Sequence, residues 1–165
     1  MGSEPSSIFS GRLLPVTTAI VATIAINAFS ALSVVAGLPQ ITAELGHVAL
    51  LSWVITTFLT TATLAMMVAG QVIDALGVRA TFRLTMLFAF AGSAACAAAP
   101  SMQTLIVFRG VQGVGAGLAF AVATASVGIV YSERLRPRAL AAVSVTWGVM
   151  ALGAPSIAAL FVATT

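Results

Sequence analysis

Five long stretches of the chain are almost free of charged residues, and short polar segments separate them. They cover residues 13–38, 48–73, 84–99, 102–131 and 139–162. A helix needs about 20 apolar residues to cross a bilayer, and four of the five stretches exceed that length. The third is shorter, but Arg83 at its start can extend its side chain to the membrane surface. The pattern predicts an all-α integral membrane protein with five transmembrane helices.

Composition supports this fold class. Hydrophobic residues make up 60% of the 165 residues and charged residues only 7%, whereas soluble domains carry about 25% charged residues. A soluble domain and a disordered chain are both excluded, because each needs far more polar surface. The seven basic residues are scattered and form no stripe for nucleic acid. The single cysteine, Cys96, excludes an intramolecular disulfide.

The first stretch has two interpretations. Arg12 followed by an apolar run resembles the start of a signal peptide. The run is longer than a typical signal core and four more stretches follow, which favours an uncleaved first helix. Residues 1–12 are then a short N-terminal tail, and residues 13–165 form a partial transmembrane bundle.

Orientation follows from the arginines. Six of the seven lie before the first stretch, between the second and third, or between the fourth and fifth: Arg12, Arg79, Arg83, Arg134, Arg136 and Arg138. Because loops rich in Arg stay in the cytoplasm, the N-terminal tail is predicted to be cytoplasmic and residue 165 to lie outside.

Arg109 is the one charged residue deep inside a predicted span. A charge there costs roughly 2.5–3.5 kcal/mol on insertion scales, so it is a functional candidate. Gln112 lies three residues further on and shares its helix face. The alternative is that Arg109 reaches outward to the lipid headgroups.

A polar stripe runs along the first predicted helix. Thr23, Asn27 and Ser30 follow one another at spacings of four and three residues. At about 1.5 Å per residue, Ser30 and Arg109 lie at a similar depth. We therefore expect the stripe and Arg109 to line one water-filled cavity; hydrogen bonding between helices is the alternative role of the stripe.

The segment between the second and third stretches carries a further set of candidates. Gly70 permits close helix approach, Asp74 ends the second helix, Gly77 suits a tight turn, and Arg79 and Arg83 anchor the inner surface. Small residues elsewhere, above all Gly113 and Gly117, predict close helix packing. No arrangement typical of catalysis, a nucleotide loop or a metal site is present, and His47 stands alone in a loop.

These motifs resemble signatures of the major facilitator superfamily, particularly its drug–proton antiporter branch. The segment from Gly70 to Arg79 resembles the family's loop signature, and Arg109-Gly110-Val111-Gln112-Gly113 resembles its helix-four motif. Three further segments resemble those of drug exporters: Leu38-Pro39-Gln40-Ile41, Trp53-Val54-Ile55-Thr56 and Ser132 to Ala139.

The resemblance implies a transporter of two six-helix bundles, of which this chain is an N-terminal part that needs a second bundle or a partner chain. Gly70, Asp74, Gly77, Arg79 and Arg83 would form a cytoplasmic latch. The coupling and substrate-cavity residues would be Arg109, Gln112, Thr23, Asn27, Ser30 and Trp147. The implied activity is efflux of drug-like molecules coupled to protons, without enzymatic chemistry or a cofactor.

Some positions depart from the family pattern. Ala75 replaces a basic residue, Ser30 stands where fourteen-helix exporters carry Asp, and the glycines expected around Pro155 are alanines. Pro155 can still kink the fifth helix, or it is merely tolerated there. Trp147 either lines the cavity or packs. A small membrane subunit and a half-transporter are the alternative functions. The Arg-only, Ala-rich usage is typical of a bacterial gene, which suggests the inner membrane.

Overall fold

The computed structural model describes residues 8–9 and 11–164, and this part of the chain is built from helices. Four α-helices form the bundle: α1 (Leu14–Leu45), α2 (Leu51–Ala97), α3 (Met102–Val130) and α4 (Arg136–Thr164). Short 3-10 turns, Gly11–Leu13 and Val48–Leu50, precede α1 and α2. The predicted all-α class agrees with this architecture.

Helix α1 continues past the point where the sequence suggested that it would end. The expected end was at Leu38, before Pro39, but Pro39 lies inside the helix. Proline removes one backbone N–H donor, but transmembrane helices tolerate it because neighbouring groups satisfy the freed backbone carbonyl. The helix ends instead at Gly46, whose φ of 66° lies in the left-handed region that glycine adopts without strain.

Helix α2 is two helical halves joined at Gly77. This residue alone has non-helical geometry inside the segment, with φ 80° and ψ 157°. Phe58 and Ala89, on opposite sides of Gly77, both contact the same short stretch of α3. The chain must therefore reverse at Gly77, and the two halves, residues 51–76 and 78–97, form a hairpin. The turn is tighter than the predicted gap between residues 73 and 84.

Helix α3 begins and ends where the pattern predicted. Ser101 caps its first turn: the Ser101 hydroxyl accepts a hydrogen bond from the backbone N–H of Thr104, and the Thr104 hydroxyl accepts one from the backbone N–H of Ser101. Such a reciprocal pair satisfies two otherwise unpaired donors at the helix start. Pro100 precedes the cap, so the preceding helix cannot run on into α3.

Glycines and two apolar clusters make the contact between α3 and the α2 hairpin. A Cβ on Gly113 would lie 2.5 Å from the Phe58 carbonyl oxygen, and a Cβ on Gly115 would lie 2.8 Å from the Ala89 backbone nitrogen. A Cβ on Gly117 would collide with the Ala62 carbonyl oxygen. The prediction that small residues permit close packing is confirmed here.

The contact between α1, α3 and α4 is made by larger side chains. Ten buried residues form what we call the Tyr131 cluster: Ile8, Leu13, Ile20, Ile24, Ala123, Val127, Tyr131, Leu135, Ala139 and Val143. The Thr17 hydroxyl lies 2.6 Å from the Tyr131 hydroxyl and donates to the Ile8 carbonyl. Ile8, part of the predicted tail, is therefore packed against the bundle.

Three helical stretches of the described residues are long and apolar enough to cross a membrane: Leu14–Leu32, Val48–Ala97 and Met102–Val130. This count is lower than the predicted five for two reasons. The hairpin at Val48–Ala97 counts once although it is 50 residues long, and α4 is not among the three.

Candidate functional site

Arg109 is buried at the contact between α3 and the first half of α2. Only 1% of its surface is exposed. Its Nε donates to the Val54 carbonyl oxygen at 3.4 Å, and its Cζ lies 4.2 Å from the centroid of the Phe58 ring. The neighbouring glycines, Gly110 and Gly113, let α3 approach α2 closely enough for these contacts. The guanidinium therefore faces the bundle, and the alternative in which Arg109 reaches the headgroups does not describe this structure.

Gln112 connects Arg109 to the second half of α2. Its Oε1 accepts a hydrogen bond from Arg109 Nη1 at 2.5 Å, and its Nε2 donates to Ser93 Oγ at 2.9 Å. Gly92 makes room for this link, because a Cβ there would lie 2.7 Å from the Gln112 Cα. The predicted shared face of Arg109 and Gln112 is confirmed, and we call Arg109, Gln112 and Ser93 the Arg109 network.

The polar stripe of α1 is mostly turned inward, but it does not converge on Arg109. Thr23 and Asn27 are 5% and 7% exposed. Both bond within α1: the Thr23 hydroxyl donates to the Ala19 carbonyl, and Asn27 Nδ2 donates to the Thr23 carbonyl. Hydrogen bonding thus accounts for one donor of each side chain, although the acceptor is their own helix and not a neighbouring one.

The stripe residues line separate cavities. Ser30 lies with Gln112, Ser93 and Cys96 in a cavity of about 420 Å³ between α1, α2 and α3. Thr23 lines a different cavity, of about 400 Å³. A single cavity shared by Thr23, Asn27, Ser30 and Arg109 stays a prediction; in this structure only Ser30 and the Arg109 network meet.

A second cavity, which we call the Trp147 cavity, contains the next stripe residue. It holds about 240 Å³ between α1, the first half of α2, α3 and α4. Asn27, Phe58 and Trp147 are among its lining residues. Phe58 therefore contacts Arg109 and also forms part of this wall. Trp147 lines this cavity, and its role in a substrate cavity stays a prediction.

The residues of the predicted latch lie around the turn of α2. Asp74, Arg79 and Arg83 are exposed, and Gly77 adopts the positive φ of the turn. Arg79 and Arg83 also border the cavity of about 400 Å³ that contains Thr23. Gly70 differs from expectation: a Cβ there would meet nothing within 4 Å, so no described helix approaches it closely.

One further candidate, Pro155, is only partly visible. The backbone of α4 is helical through Pro155, but the Pro155 side chain lies outside the described residues, so its role in a kink stays a prediction. Within the described range, no group of three or more His, Cys, Asp or Glu side chains could hold a metal ion.

The sequence did not reveal two partners of Arg109, Phe58 and the Val54 carbonyl, nor the partner of Gln112, Ser93. None of these three groups carries a signal in the sequence. A backbone carbonyl is present at every position and a Phe in a membrane span is common. Only the helix packing singles these groups out.

Comparison with known proteins agrees with this architecture. The Major Facilitator Superfamily model matches residues 18–165. The chain is 31% identical to the multidrug transporter protein MdtP of Bacillus subtilis, covering 90% of this chain and 27% of that protein. It is 33% identical to a probable multidrug-efflux transporter of Mycobacterium tuberculosis, covering 86% of this chain and 29% of that protein.

One of the similar proteins is fungal. The efflux pump DEP3 of Fusarium langsethiae is 28% identical over 77% of this chain and 23% of its own length. The chain spans about a quarter of the length of these curated relatives, and no solved structure matches it significantly. With a family model matching nearly all of its residues and apolar helices throughout, the chain belongs to the major facilitator superfamily of membrane transporters.

Proposed function

We propose that the protein containing this chain exports small amphipathic molecules from the cell, and that the chain supplies the first five helices of its N-terminal bundle. The observation that carries the proposal is Arg109, a cation buried within a membrane-spanning helix and held on three sides by Val54, Phe58 and Gln112. Arginines in such positions are rare and mark transport pathways. Relatives that are named multidrug or efflux transporters support the same activity.

The helix lengths are consistent with five crossings of the membrane by this chain. A straight helix over the 47 residues of α2 would be roughly 70 Å long, more than twice the thickness of the hydrocarbon core. Its two halves, at about 39 and 30 Å, each match one crossing. Helix α4, with 29 residues, is also long enough. We propose from the positions of the arginines that the N-terminal end of the chain lies on the cytoplasmic side of the membrane, and that this membrane is a bacterial inner membrane.

The turn of α2 is proposed as the conformational latch. Gly77 reverses the chain, and Asp74 and Arg79 stand exposed on either side of it. A second bundle that approached this end of the molecule could pair with both charges in one conformation and release them in the other.

Proton coupling rests on the Arg-x-x-Gln-Gly motif at Arg109, which resembles that of drug–proton antiporters. No Asp or Glu occurs between Leu84 and Val130. Helix α3 and the second half of α2 therefore contain no carboxylate that could carry a proton. We therefore propose that the group that binds the proton lies in another part of the transporter. Export that stops when a protonophore collapses the proton gradient would support this; export that continues unchanged would contradict it.

Export itself is tested in bacteria that lack their main exporters and express the gene product containing this chain. The neutral dye N-phenyl-1-naphthylamine should accumulate less than in cells with an empty vector. Arg109→Ala should restore accumulation, because it removes the buried cation. Val107→Ala is the matched control on the same helix, since Val107 is 63% exposed and touches no part of the network.

The amount of protein in the membrane must be equal for all variants. Equal dye accumulation in every strain would contradict export and favour a non-transporting membrane subunit. Export that appears only when a second chain is co-expressed would indicate a half-transporter.

A further inference from the structure

The Trp147 cavity has the size and lining of a site for a small aromatic compound. Its volume of about 240 Å³ lies just below the range of roughly 300–1,000 Å³ typical of drug-sized sites, so it suits a molecule of one or two rings. Three aromatic side chains line it: Phe58, Phe120 and Trp147. They come from three different helices, so the site exists only when α2, α3 and α4 are packed together.

Two side chains in the lining can accept hydrogen bonds. Asn27 uses its Nδ2 to donate to the Thr23 carbonyl, and Thr63 uses its hydroxyl proton to donate to the Leu59 carbonyl. The amide oxygen of Asn27 and the lone pairs of the Thr63 oxygen are acceptor groups. A ligand that presents a hydroxyl donor therefore complements this cavity.

The cavity has no charged lining residue, but a cation lies behind one of its walls. No carboxylate is among its lining residues. Phe58 separates it from Arg109, whose Cζ is 4.2 Å from the ring centroid. A ligand in contact with Phe58, about 4 Å away, would lie within roughly 8 Å of the guanidinium.

Three aromatic rings could also suit an organic cation, which is attracted to the faces of such rings. Here the Arg109 cation already lies over one face of the Phe58 ring, which weakens the attraction of this ring for a second cation. A second cation would also be repelled by Arg109, because like charges at this separation still interact strongly in a protein interior.

We infer that the Trp147 cavity binds neutral aromatic compounds that carry a hydroxyl donor and discriminates against organic cations. As the substrate class of an exporter, this inference rests on the proposed function. Binding to the cavity is nevertheless measurable on the chain itself. The binding inference and the proposed export function can therefore be refuted independently.

The test uses the fluorescence of Trp147. The chain contains two tryptophans, so Trp53→Phe leaves Trp147 as the single reporter. The purified 165-residue chain in lipid nanodiscs is titrated with 4-bromobenzyl alcohol and with 4-bromobenzyltrimethylammonium, whose bromine quenches tryptophan on contact. The alcohol should quench with saturation. The cation should require a concentration about tenfold higher or more for half-maximal quenching.

Trp147→Phe is the matched control, because it leaves Trp53, which is 58% exposed and outside the cavity. Quenching of Trp53 reports only partitioning of the probe into the bilayer, and it should rise without saturation. Comparison of the two chains separates binding from partitioning.

A second pair of variants tests the role of charge. Met66 lines the cavity and is 44% exposed. In the Trp53→Phe background, Met66→Glu adds a carboxylate and should lower the half-quenching concentration of the cation about tenfold. Met66→Gln has nearly the same shape without the charge and should leave it unchanged.

The inference is overturned if the cation quenches Trp147 with saturation at the same or a lower concentration than the alcohol. Quenching of Trp147 by the alcohol without saturation, as for Trp53, would overturn it as well. Saturable binding together with absent dye export would instead count against the proposed function alone.

Discussion

The two faces of α3 are packed in different ways. Towards the α2 hairpin, glycines bring backbone against backbone, as at Gly113 and Gly117, and a buried polar network crosses the contact. Towards α1 and α4, branched and aromatic side chains fill the space, as at Ile24, Val127 and Tyr131. At Gly113 and Gly117 there is no side chain to remove, and an added Cβ would collide with the backbone of α2. The second face can adjust by moving side chains.

This difference suggests a division of roles. We expect helix α3 and the hairpin to move as one body, because their backbones are in close contact at the glycines. The contact with α1 and α4 depends on side-chain rotamers and is the more adaptable of the two. We therefore expect movements of the helices to take place on the α1–α4 side.

The largest expected effect comes from filling the glycine face. Gly113→Leu should prevent the packing of α2 on α3, because even a Cβ would lie 2.5 Å from the Phe58 carbonyl oxygen. Overpacking of ordinary cores costs about 1–3 kcal/mol, and this substitution should exceed the upper end of that range. Fluorescence-detected size exclusion after heating should show little or no folded protein.

Gly128→Leu is the matched control on the same helix, since nothing lies within 4 Å of a Cβ at Gly128. It should unfold at nearly the temperature of the unmodified chain. If both variants were equally stable, the glycine contact would not be the rigid one.

A smaller effect is expected from the polar network. Gln112→Leu removes the acceptor of Arg109 Nη1 and the donor to Ser93. Leaving a buried donor unsatisfied costs about 1–3 kcal/mol, so the free energy of unfolding should fall by that amount. Unfolding in a series of denaturing detergent mixtures measures the change.

A double-mutant cycle isolates the pair. Arg109→Met alone removes a costly buried charge, and the double variant of Arg109→Met and Gln112→Leu should regain most of the stability lost by Gln112→Leu. Simple additivity of the two changes would show that the bond between Arg109 and Gln112 is energetically unimportant.

The smallest effect is expected on the adaptable face. Ile24 is 1% exposed within the Tyr131 cluster. Ile24→Val removes one methylene and should lower the free energy of unfolding by about 0.5–1.5 kcal/mol. The same detergent unfolding measures it. A loss as large as that of Gly113→Leu would remove the distinction between the two faces.

The sequence contained most of the helical architecture. Apolar length and the polar breaks located α3 almost to the residue, because Pro100 and the Ser101 cap are local signals. The end of α1 was placed too early, since Pro39 is a weaker signal than the left-handed Gly46 that follows. The turn between residues 73 and 84 was drawn too wide, because Arg79 and Arg83 are polar yet lie on helical backbone.

The site was only half visible in the sequence. The shared helix face of Arg109 and Gln112 follows from helix periodicity and was predicted, whereas the hydrogen bond between them was not. The positions of Thr23, Asn27 and Ser30 at separate cavities depend on how α1 is rotated against its neighbours, and residue spacing alone does not determine that rotation. The stacking of Arg109 on Phe58 likewise depends on a contact between residues 51 positions apart.

The reversal at Gly77 also bears on how the protein enters the membrane during synthesis. A single non-helical residue joins the two halves of the hairpin. This connection is too short for one half to cross the bilayer while the other half remains outside it. The two halves must therefore leave the translocation channel as a pair. The α3 glycines, synthesised some 20 residues after the hairpin, then meet a partner surface that is already assembled.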